Sequence, residues 1–168
     1  GEGPSAMPVA GGTDLFPNMK RLHQVPKTVV ALGHLRELQG IGGTPSKGVT
    51  LAAGLTLTQV CEHTGIQRAY PALAHAVRSI STPLLRNMGT IGGNLCLDTR
   101  CNYYNQKYEW RKSIDFCMKK DGDICWVAPG SPRCWAVSSS DSAPLLVAMR
   151  AKLKLVGARG ARTIEARE

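Results

Sequence analysis

The chain has 168 residues, of which 43% are hydrophobic and 5% aromatic, so it suffices for one ordinary domain with a mainly aliphatic core. The net charge of +9 is spread among acidic residues without a run of five cations, which favours an anionic cofactor or an acidic protein partner over nucleic acid. No membrane span and no secretory signal are present in the sequence, so a cytoplasmic location is expected.

The first half of the chain predicts short strands and short helices. Apolar or β-branched runs predict strands at residues 7–10, 28–32 and 49–53, with loop at 40–48 before the third. Helices are predicted over 15–20, from Thr56 or Thr58 to about Glu62, and over 69–77 with Leu73, Ala76 and Val77 on one side. Pro83 is expected to end regular structure.

The second half contains a long segment without periodicity. Residues 95–136 predict an irregular loop, because neither helical nor strand spacing recurs there. A helix is expected to start at residues 141–144, and two strands are predicted at 152–156 and 162–166. Since strands and helices alternate without a strict βαβ order, the predicted fold class is α+β.

Two glycine pairs are candidate phosphate-binding turns. Gly11-Gly12-Thr13 and Gly92-Gly93-Asn94 both follow apolar runs, and successive amides of such turns can hold a pyrophosphate. Neither turn matches a Rossmann or P-loop motif. Ligand-free tight turns remain the alternative. Asp141 has two candidate roles, as the N-cap of the following helix and as a hydrogen-bond acceptor for a ribose hydroxyl.

Four cysteines in the irregular segment predict a metal centre. Cys101, Cys117, Cys125 and Cys134 are separated by 16, 8 and 9 positions. Four thiolates suit a [4Fe–4S] cluster, whereas zinc sites with four cysteines usually contain two short Cys-x₂₋₄-Cys pairs. Zinc and free buried cysteines stay open as alternatives, and Cys96 is an alternative ligand.

Three motifs resemble a known family. Ala10-Gly11-Gly12-Thr13-Asp14-Leu15, Thr90-Ile91-Gly92-Gly93-Asn94 and Ser140-Asp141-Ser142-Ala143-Pro144 resemble, in this order, the FAD-binding subunits of the molybdenum hydroxylases. The resemblance implies the FAD-binding fold of the vanillyl alcohol oxidase and p-cresol methylhydroxylase type. Residues 1–168 are then expected to be a fragment of that FAD-binding domain, without the family's C-terminal domain.

The cysteine segment narrows the resemblance to one branch. Ordinary members run almost directly from the second motif to the third, whereas here residues 95–136 intervene. This insertion is similar to that of the 4-hydroxybenzoyl-CoA reductase β subunit, which carries a [4Fe–4S] cluster. By that resemblance the cluster ligands are Cys101, Cys117, Cys125 and Cys134, with Cys61 and Cys96 as bystanders.

The family also implies FAD contacts. Residues 10–15 would wrap the pyrophosphate, Thr90, Gly93 and Asn94 would hold its other side, and Asp141 would reach the adenosine end. Ile80 and Ile91 would pack near the flavin.

The implied function is electron transfer in anaerobic aromatic degradation. Electrons from a ferredoxin would pass through the [4Fe–4S] cluster and FAD to [2Fe–2S] clusters on one partner subunit and a molybdenum cofactor on another. The chemistry there would be the reductive dehydroxylation of 4-hydroxybenzoyl-CoA to benzoyl-CoA. No catalytic residue is expected on this chain, because it offers no acid–base or nucleophile set.

Two other functions stay open. One is the FAD subunit of another molybdenum hydroxylase, and the other is a zinc-stabilised structural subunit without flavin. Basic residues near the cysteines would either steer an acidic ferredoxin or simply form a solvated face. These residues are Lys107, Arg111, Lys112, Lys119 and Lys120.

Overall fold

The computed structural model describes residues 5–167. They form two compact units, of which the first combines residues up to 31 with 97–139 and the second combines 32–96 with those from 140 onward. No helix within the described part of the chain is both long and apolar enough to cross a membrane.

Short elements make up both units. The strands are β1 (Ala6–Val9), β2 (Thr28–Ala31), β3 (Ile41–Thr44), β4 (Gly48–Leu51), β5 (Lys152–Gly157) and β6 (Gly160–Glu165). The helices are α1 (Leu15–Lys20), α2 (Leu57–Glu62), α3 (Thr64–Ala69), α4 (Pro71–Ser79), α5 (Pro83–Arg86), α6 (Ile91–Leu95), α7 (Tyr108–Ser113) and α8 (Ala143–Ala148). The result is a mixed α/β structure, which agrees with the predicted mixture of strands and helices.

The first unit is a small strand pair with a long irregular segment. β1 and β2 are parallel, in a register that sets Ala6 opposite Thr28 and Val9 opposite Ala31, and α1 lies between them in sequence. These three elements confirm the predicted strands and helix. The predicted irregular segment, residues 95–136, is irregular except for the last residue of α6 and for α7, which the sequence prediction missed.

The second unit contains two antiparallel hairpins. β3 pairs with β4, and β5 pairs with β6. The predicted loop at 40–48 is wrong, because β3 lies within it. Gly42 and Gly43 give β3 a weak strand propensity, and pairing with Thr50 and Val49 of β4 supplies the structure that local sequence does not.

Helix capping explains most of the helices in the second unit. Thr56 accepts a hydrogen bond from the Gln59 amide (3.1 Å), and the Gln59 side chain accepts one from the Thr56 amide (2.8 Å), so a capping box starts α2. Pro83 begins α5 instead of ending regular structure, because proline at a helix start needs no amide partner and its φ is already helical.

The core of the second unit is aliphatic. Its fully buried centre includes Val60, Ile66 and Val77, each with 0% of its surface exposed. α4 buries Leu73, Ala74 and Val77, so the predicted face is right except that Ala74 takes the place of Ala76. Burying one such aliphatic side chain stabilises a fold by about 1.5–3 kcal/mol.

Candidate cofactor and cysteine sites

The first glycine motif forms a tight turn before α1. Gly12 has φ of 73°, and a Cβ atom there would lie 2.4 Å from the Phe16 ring, so only glycine fits. The Gly12 carbonyl accepts a hydrogen bond from the Phe16 amide at 3.2 Å. Ala10 is exposed, while Gly11 and Thr13 are half-buried. The predicted turn is therefore present, and its backbone remains partly accessible to a ligand.

The side chain of Asp14, at the end of this turn, already makes an ion pair and a hydrogen bond. One carboxylate oxygen is paired with the Arg100 guanidinium, and the other accepts a hydrogen bond from the Asn18 side-chain amide at 3.0 Å. Leu15, the next residue, is half-buried and begins α1. A contact from Asp14 to a pyrophosphate therefore falls to its backbone, because the carboxylate already serves Arg100 and Asn18.

The second glycine motif is helical, which corrects the prediction of a glycine turn. Gly92 and Gly93 lie inside α6, and the Thr90 hydroxyl caps this helix by accepting from the Gly93 amide at 3.0 Å. A Cβ atom on Gly92 would lie 2.6 Å from the Ala53 Cβ and 2.7 Å from its carbonyl oxygen. Gly92 thus serves close packing, whereas Gly93 is exposed and open to a ligand.

Asn94 and the third motif are joined by buried hydrogen bonds. The Asn94 side-chain oxygen accepts from the Ser140 hydroxyl (3.0 Å), the Ser142 amide (3.2 Å) and the Ser142 hydroxyl (2.5 Å). Asn94 is only 8% exposed. Its oxygen therefore ties α6 to the start of α8, a structural role that the sequence reasoning missed.

Asp141 and the two isoleucines take different places. Asp141 is exposed, but the prediction that it caps the following helix is wrong, because Ser142 occupies the N-cap position. Its carboxylate makes no hydrogen bond or ion pair within residues 5–167 and is accessible to a ligand. Ile80 and Ile91 are 6% and 3% exposed in the aliphatic core, so their side chains are committed to packing.

All four predicted cysteine ligands line one cavity in the first unit. Cys101, Cys117, Cys125 and Cys134 line one small pocket with a cavity volume of about 10 Å³. Within residues 5–167, no three His, Cys, Asp or Glu side chains are grouped to hold a metal ion. Cys61 and Cys96 belong to the other unit. The structure therefore gathers the four cysteines around a space and leaves the two predicted bystanders outside it.

Backbone amides point at two of these sulfur atoms. Burial favours the neutral thiol of Cys125, yet hydrogen bonds from the backbone at Trp135, Ala128 and Val127 lower its pKa below the ordinary value. The Ala136 amide donates to the Cys134 sulfur at 3.4 Å. Such donors stabilise thiolates, the form in which cysteine binds metals.

Cys117 sits on a tightly folded turn. Asp115, Phe116 and Asp121 have φ of 62°, 57° and 69°, and positive φ is unusual for a side chain as bulky as phenylalanine. The Cys117 carbonyl accepts from the Lys120 amide at 2.8 Å and from the Gly122 amide at 3.2 Å. The turn holds a conformation that costs free energy, as residues at binding sites often do.

Tyr104 and Lys119 complete the cavity wall. Tyr104 is 2% exposed and stacks on His23, with ring centroids 4.7 Å apart. The Lys119 ammonium lies 5.1 Å from the Tyr104 ring centroid and donates to Asp98 at 2.8 Å and to Thr99 at 2.7 Å. Burial raises the pKa of the Tyr104 hydroxyl and lowers that of His23. The wall is thus apolar and aromatic with one paired cation.

The predicted basic surface is smaller than the sequence suggested. Arg111 is 1% exposed, packs 5.5 Å from the Phe116 ring centroid and contacts Asp121 at 3.4 Å, so it is neither on a solvated face nor able to steer a partner. Lys119 is ion-paired and 14% exposed. Lys107 and Lys112 remain exposed.

A family model covers the whole chain. The model described as the FAD binding domain in molybdopterin dehydrogenase matches residues 1–168. The chain is 32% identical over 157 residues to the aldehyde oxidoreductase FAD-binding subunit PaoB of Escherichia coli (strain K12), covering 88% of this chain and 46% of that protein. It is 35% identical over 95 residues to the xanthine dehydrogenase FAD-binding subunit of Escherichia coli O157:H7, covering 56% and 32%.

A solved structure has a similar fold. Carbon monoxide dehydrogenase from Hydrogenophaga pseudoflava, in a form lacking the Mo-pyranopterin moiety, superimposes with a TM-score of 0.68 at 26% identity. The match covers 98% of this chain and 44% of that one. The chain therefore spans less than half the length of these relatives.

Proposed function

Because this chain belongs to the FAD-binding domains of the molybdopterin dehydrogenase family, we propose that it is the electron-transferring part of a molybdenum hydroxylase-type complex. FAD and an iron–sulfur cluster supply the redox chemistry when bound. The chain's own residues bind them and set their surroundings. Partner subunits with a molybdenum cofactor and [2Fe–2S] clusters belong to the same proposal.

The FAD contacts that we propose come from residues of the three motifs and from Ile80. In the first unit they come from residues 10–15, where Gly12 shapes the turn. In the second unit they come from Thr90, Ile91, Gly93 and Asn94, with Asp141 and Ile80. Of this second group, Gly93 and Asp141 have the best support, because both are exposed and the Asp141 carboxylate has no partner within the described residues.

The cysteine cavity is the observation that carries the more specific proposal of a [4Fe–4S] cluster. Zinc sites with four cysteines usually contain two short Cys-x₂₋₄-Cys pairs, whereas these four cysteines are separated by 16, 8 and 9 positions. A [4Fe–4S] cluster takes four thiolates as its ligands. Four widely spaced cysteines that line one pocket therefore favour the cluster over zinc.

Such a cluster favours a 4-hydroxybenzoyl-CoA reductase-like complex that takes electrons from a ferredoxin. Of the predicted basic set, Lys107 and Lys112 are exposed and can attract an acidic donor. A xanthine, nicotinate or aldehyde enzyme is the second candidate, favoured by the identities to subunits with those names. Turnover of 4-hydroxybenzoyl-CoA, xanthine, nicotinate and aldehydes by the assembled complex separates these candidates.

A cysteine series tests the cluster directly. We expect the anaerobically purified complex to contain four additional irons and four sulfides per copy of this chain, beyond those of its partner subunit. Cys117→Ser and Cys125→Ser should lose these irons. Cys61→Ser and Cys96→Ser are matched controls that should retain them, because neither residue lines the cavity. Zinc in place of iron, or full iron in Cys117→Ser, would overturn the cluster proposal while leaving the FAD proposal standing.

Lys119 should raise the reduction potential of the cluster. Lys119 lines the cavity, and its replacement removes the positive charge that offsets the Asp98 carboxylate, so an added electron is disfavoured. Lys119→Met should shift the midpoint potential to more negative values by a few tens of millivolts, on the order of the effect of one unit charge that is partly screened by solvent. An EPR-monitored redox titration measures the shift. Lys112→Met, which removes an exposed cation, should change the potential far less, and an equal shift in both variants would contradict a specific role of Lys119.

A further inference from the structure

Arg100 and Val137, the two residues at which the cysteine segment closes, form what we call its neck, and this neck is joined to the first glycine turn. Arg100 and Val137 exchange two backbone hydrogen bonds, of 2.7 Å and 3.0 Å, so these residues close the loop that contains all four cavity cysteines. The side chain of the same Arg100 is paired with Asp14, the last residue of the glycine turn. Arg100 therefore connects the cysteine segment, where we propose the cluster, with the first glycine turn, where we propose FAD.

Both partners of this ion pair are held by further contacts. Asp14 also accepts from Asn18, and the Cys101 carbonyl next to Arg100 accepts from the Tyr104 and Asn105 amides at 3.0 Å and 2.9 Å. Arg100 is 16% exposed at its side chain, so it is oriented by its surroundings. A displacement of Cys101 would thus be transmitted to Arg100 and then to the Asp14 carboxylate.

Electrostatics gives the pair a second role at the turn. An unpaired carboxylate beside a bound pyrophosphate would repel it, and the Arg100 guanidinium neutralises the Asp14 carboxylate. Loss of Arg100 would therefore weaken an anionic ligand at this turn both by loosening the turn and by exposing a negative charge.

We propose that Arg100 is a positioning residue that couples cluster assembly to FAD binding through Asp14, an inference that rests on the proposed function. A cluster that ties Cys101 to the other three cysteines restricts the loop and holds its neck in place. The restricted neck keeps Arg100 on Asp14, which orders the turn before FAD arrives. By linkage, bound FAD must stabilise the cluster by the same factor.

The test compares FAD affinity with and without the cluster, in the full-length subunit assembled with its partners. Flavin is removed, the cluster is either left intact or extracted anaerobically with an oxidant and a chelator, and FAD is titrated by quenching of its fluorescence. For the unchanged protein we expect cluster extraction to weaken FAD binding by about five-fold, at the low end for coupled sites because Asp14 is 44% exposed. In Arg100→Met the affinity should no longer depend on the cluster.

Companion variants separate coupling from a general loss of structure. Asp14→Asn combined with Arg100→Met should show the same independence of FAD affinity from the cluster as either single variant, because each substitution removes the same ion pair. Arg100→Lys should restore part of the coupling. Arg21→Met is the matched control, since Arg21 is exposed beside α1 and its guanidinium makes no hydrogen bond or ion pair within residues 5–167; it should behave as the unchanged protein. Hydrogen exchange of the Phe16 and Asn18 amides should rise in Arg100→Met, independently of turnover.

The outcomes are distinct. If the unchanged protein contains a cluster but its extraction leaves the FAD affinity the same, the coupling is absent and the inference is overturned. If extraction weakens FAD binding equally in Arg100→Met, the coupling exists but does not run through this pair, which also overturns it. If the unchanged protein contains no cluster iron at all, the proposed function itself has failed, and metal analysis identifies that case before any titration.

Discussion

Asn94→Ala is expected to lower the free energy of unfolding by about 2–4 kcal/mol. The substitution removes the oxygen that accepts three hydrogen bonds from Ser140 and Ser142, and Ser142 is 0% exposed. The hydroxyls can rotate toward other acceptors, but the buried Ser142 amide cannot. Equilibrium unfolding in urea, followed by circular dichroism, measures the loss.

Asn87→Ala is the matched control for this prediction. Asn87 is exposed and its side-chain oxygen accepts one hydrogen bond, from the Thr58 hydroxyl at 2.7 Å, so its loss should cost less than about 1 kcal/mol. If Asn94 served only as a flavin contact, Asn94→Ala would lose FAD and keep its stability. That result would contradict the structural role assigned here to its side chain.

Elements with a strong local signal were predictable, and elements made by pairing were not. β1, α1 and β2 follow from apolar runs and a glycine break, and α2 follows from its threonine cap. β3 was missed because its central residues are glycines, and it becomes a strand only opposite β4. Pro83 was assigned the wrong role because proline both ends and begins helices, and the sequence alone does not distinguish the two.

The candidate site likewise has some features that the sequence predicts and others that only the folded structure shows. The four cysteines were identifiable from residue type, number and family resemblance, and they do line one cavity. Arg100 and Asp14 are 86 positions apart in the sequence, and His23 and Gln106 are 83 apart, so no local sequence pattern predicts either contact. Gly92 belongs to a candidate phosphate-binding turn in the sequence, because a single sequence does not show its close packing against Ala53.

Gly122→Ala is expected to disrupt the turn that carries Cys117. A Cβ atom on residue 122 would lie 2.7 Å from the Cys117 amide nitrogen, 2.9 Å from the Asp115 carbonyl oxygen and 3.0 Å from the Phe116 carbonyl carbon. All three are backbone atoms, and the turn already holds Asp115 and Phe116 at positive φ, so relief would require moving Cys117. We expect a loss of about 2–3 kcal/mol in unfolding free energy and, under the cluster proposal, loss of most of the cluster iron.

Gly130→Ala separates this steric effect from the general effect of replacing a loop glycine. Gly130 lies in the same cysteine segment, and a Cβ atom there meets nothing within 4 Å. Because alanine reduces the conformational freedom of the unfolded chain, this control should be neutral or slightly stabilising and should keep its iron. Iron content and the thermal unfolding midpoint of both variants are the measurements. Cys117 is the one proposed cluster ligand on the Gly122 turn. A Gly122→Ala protein with full iron and unchanged stability would therefore mean that this turn yields without displacing the Cys117 sulfur, contrary to the rigidity inferred from its backbone.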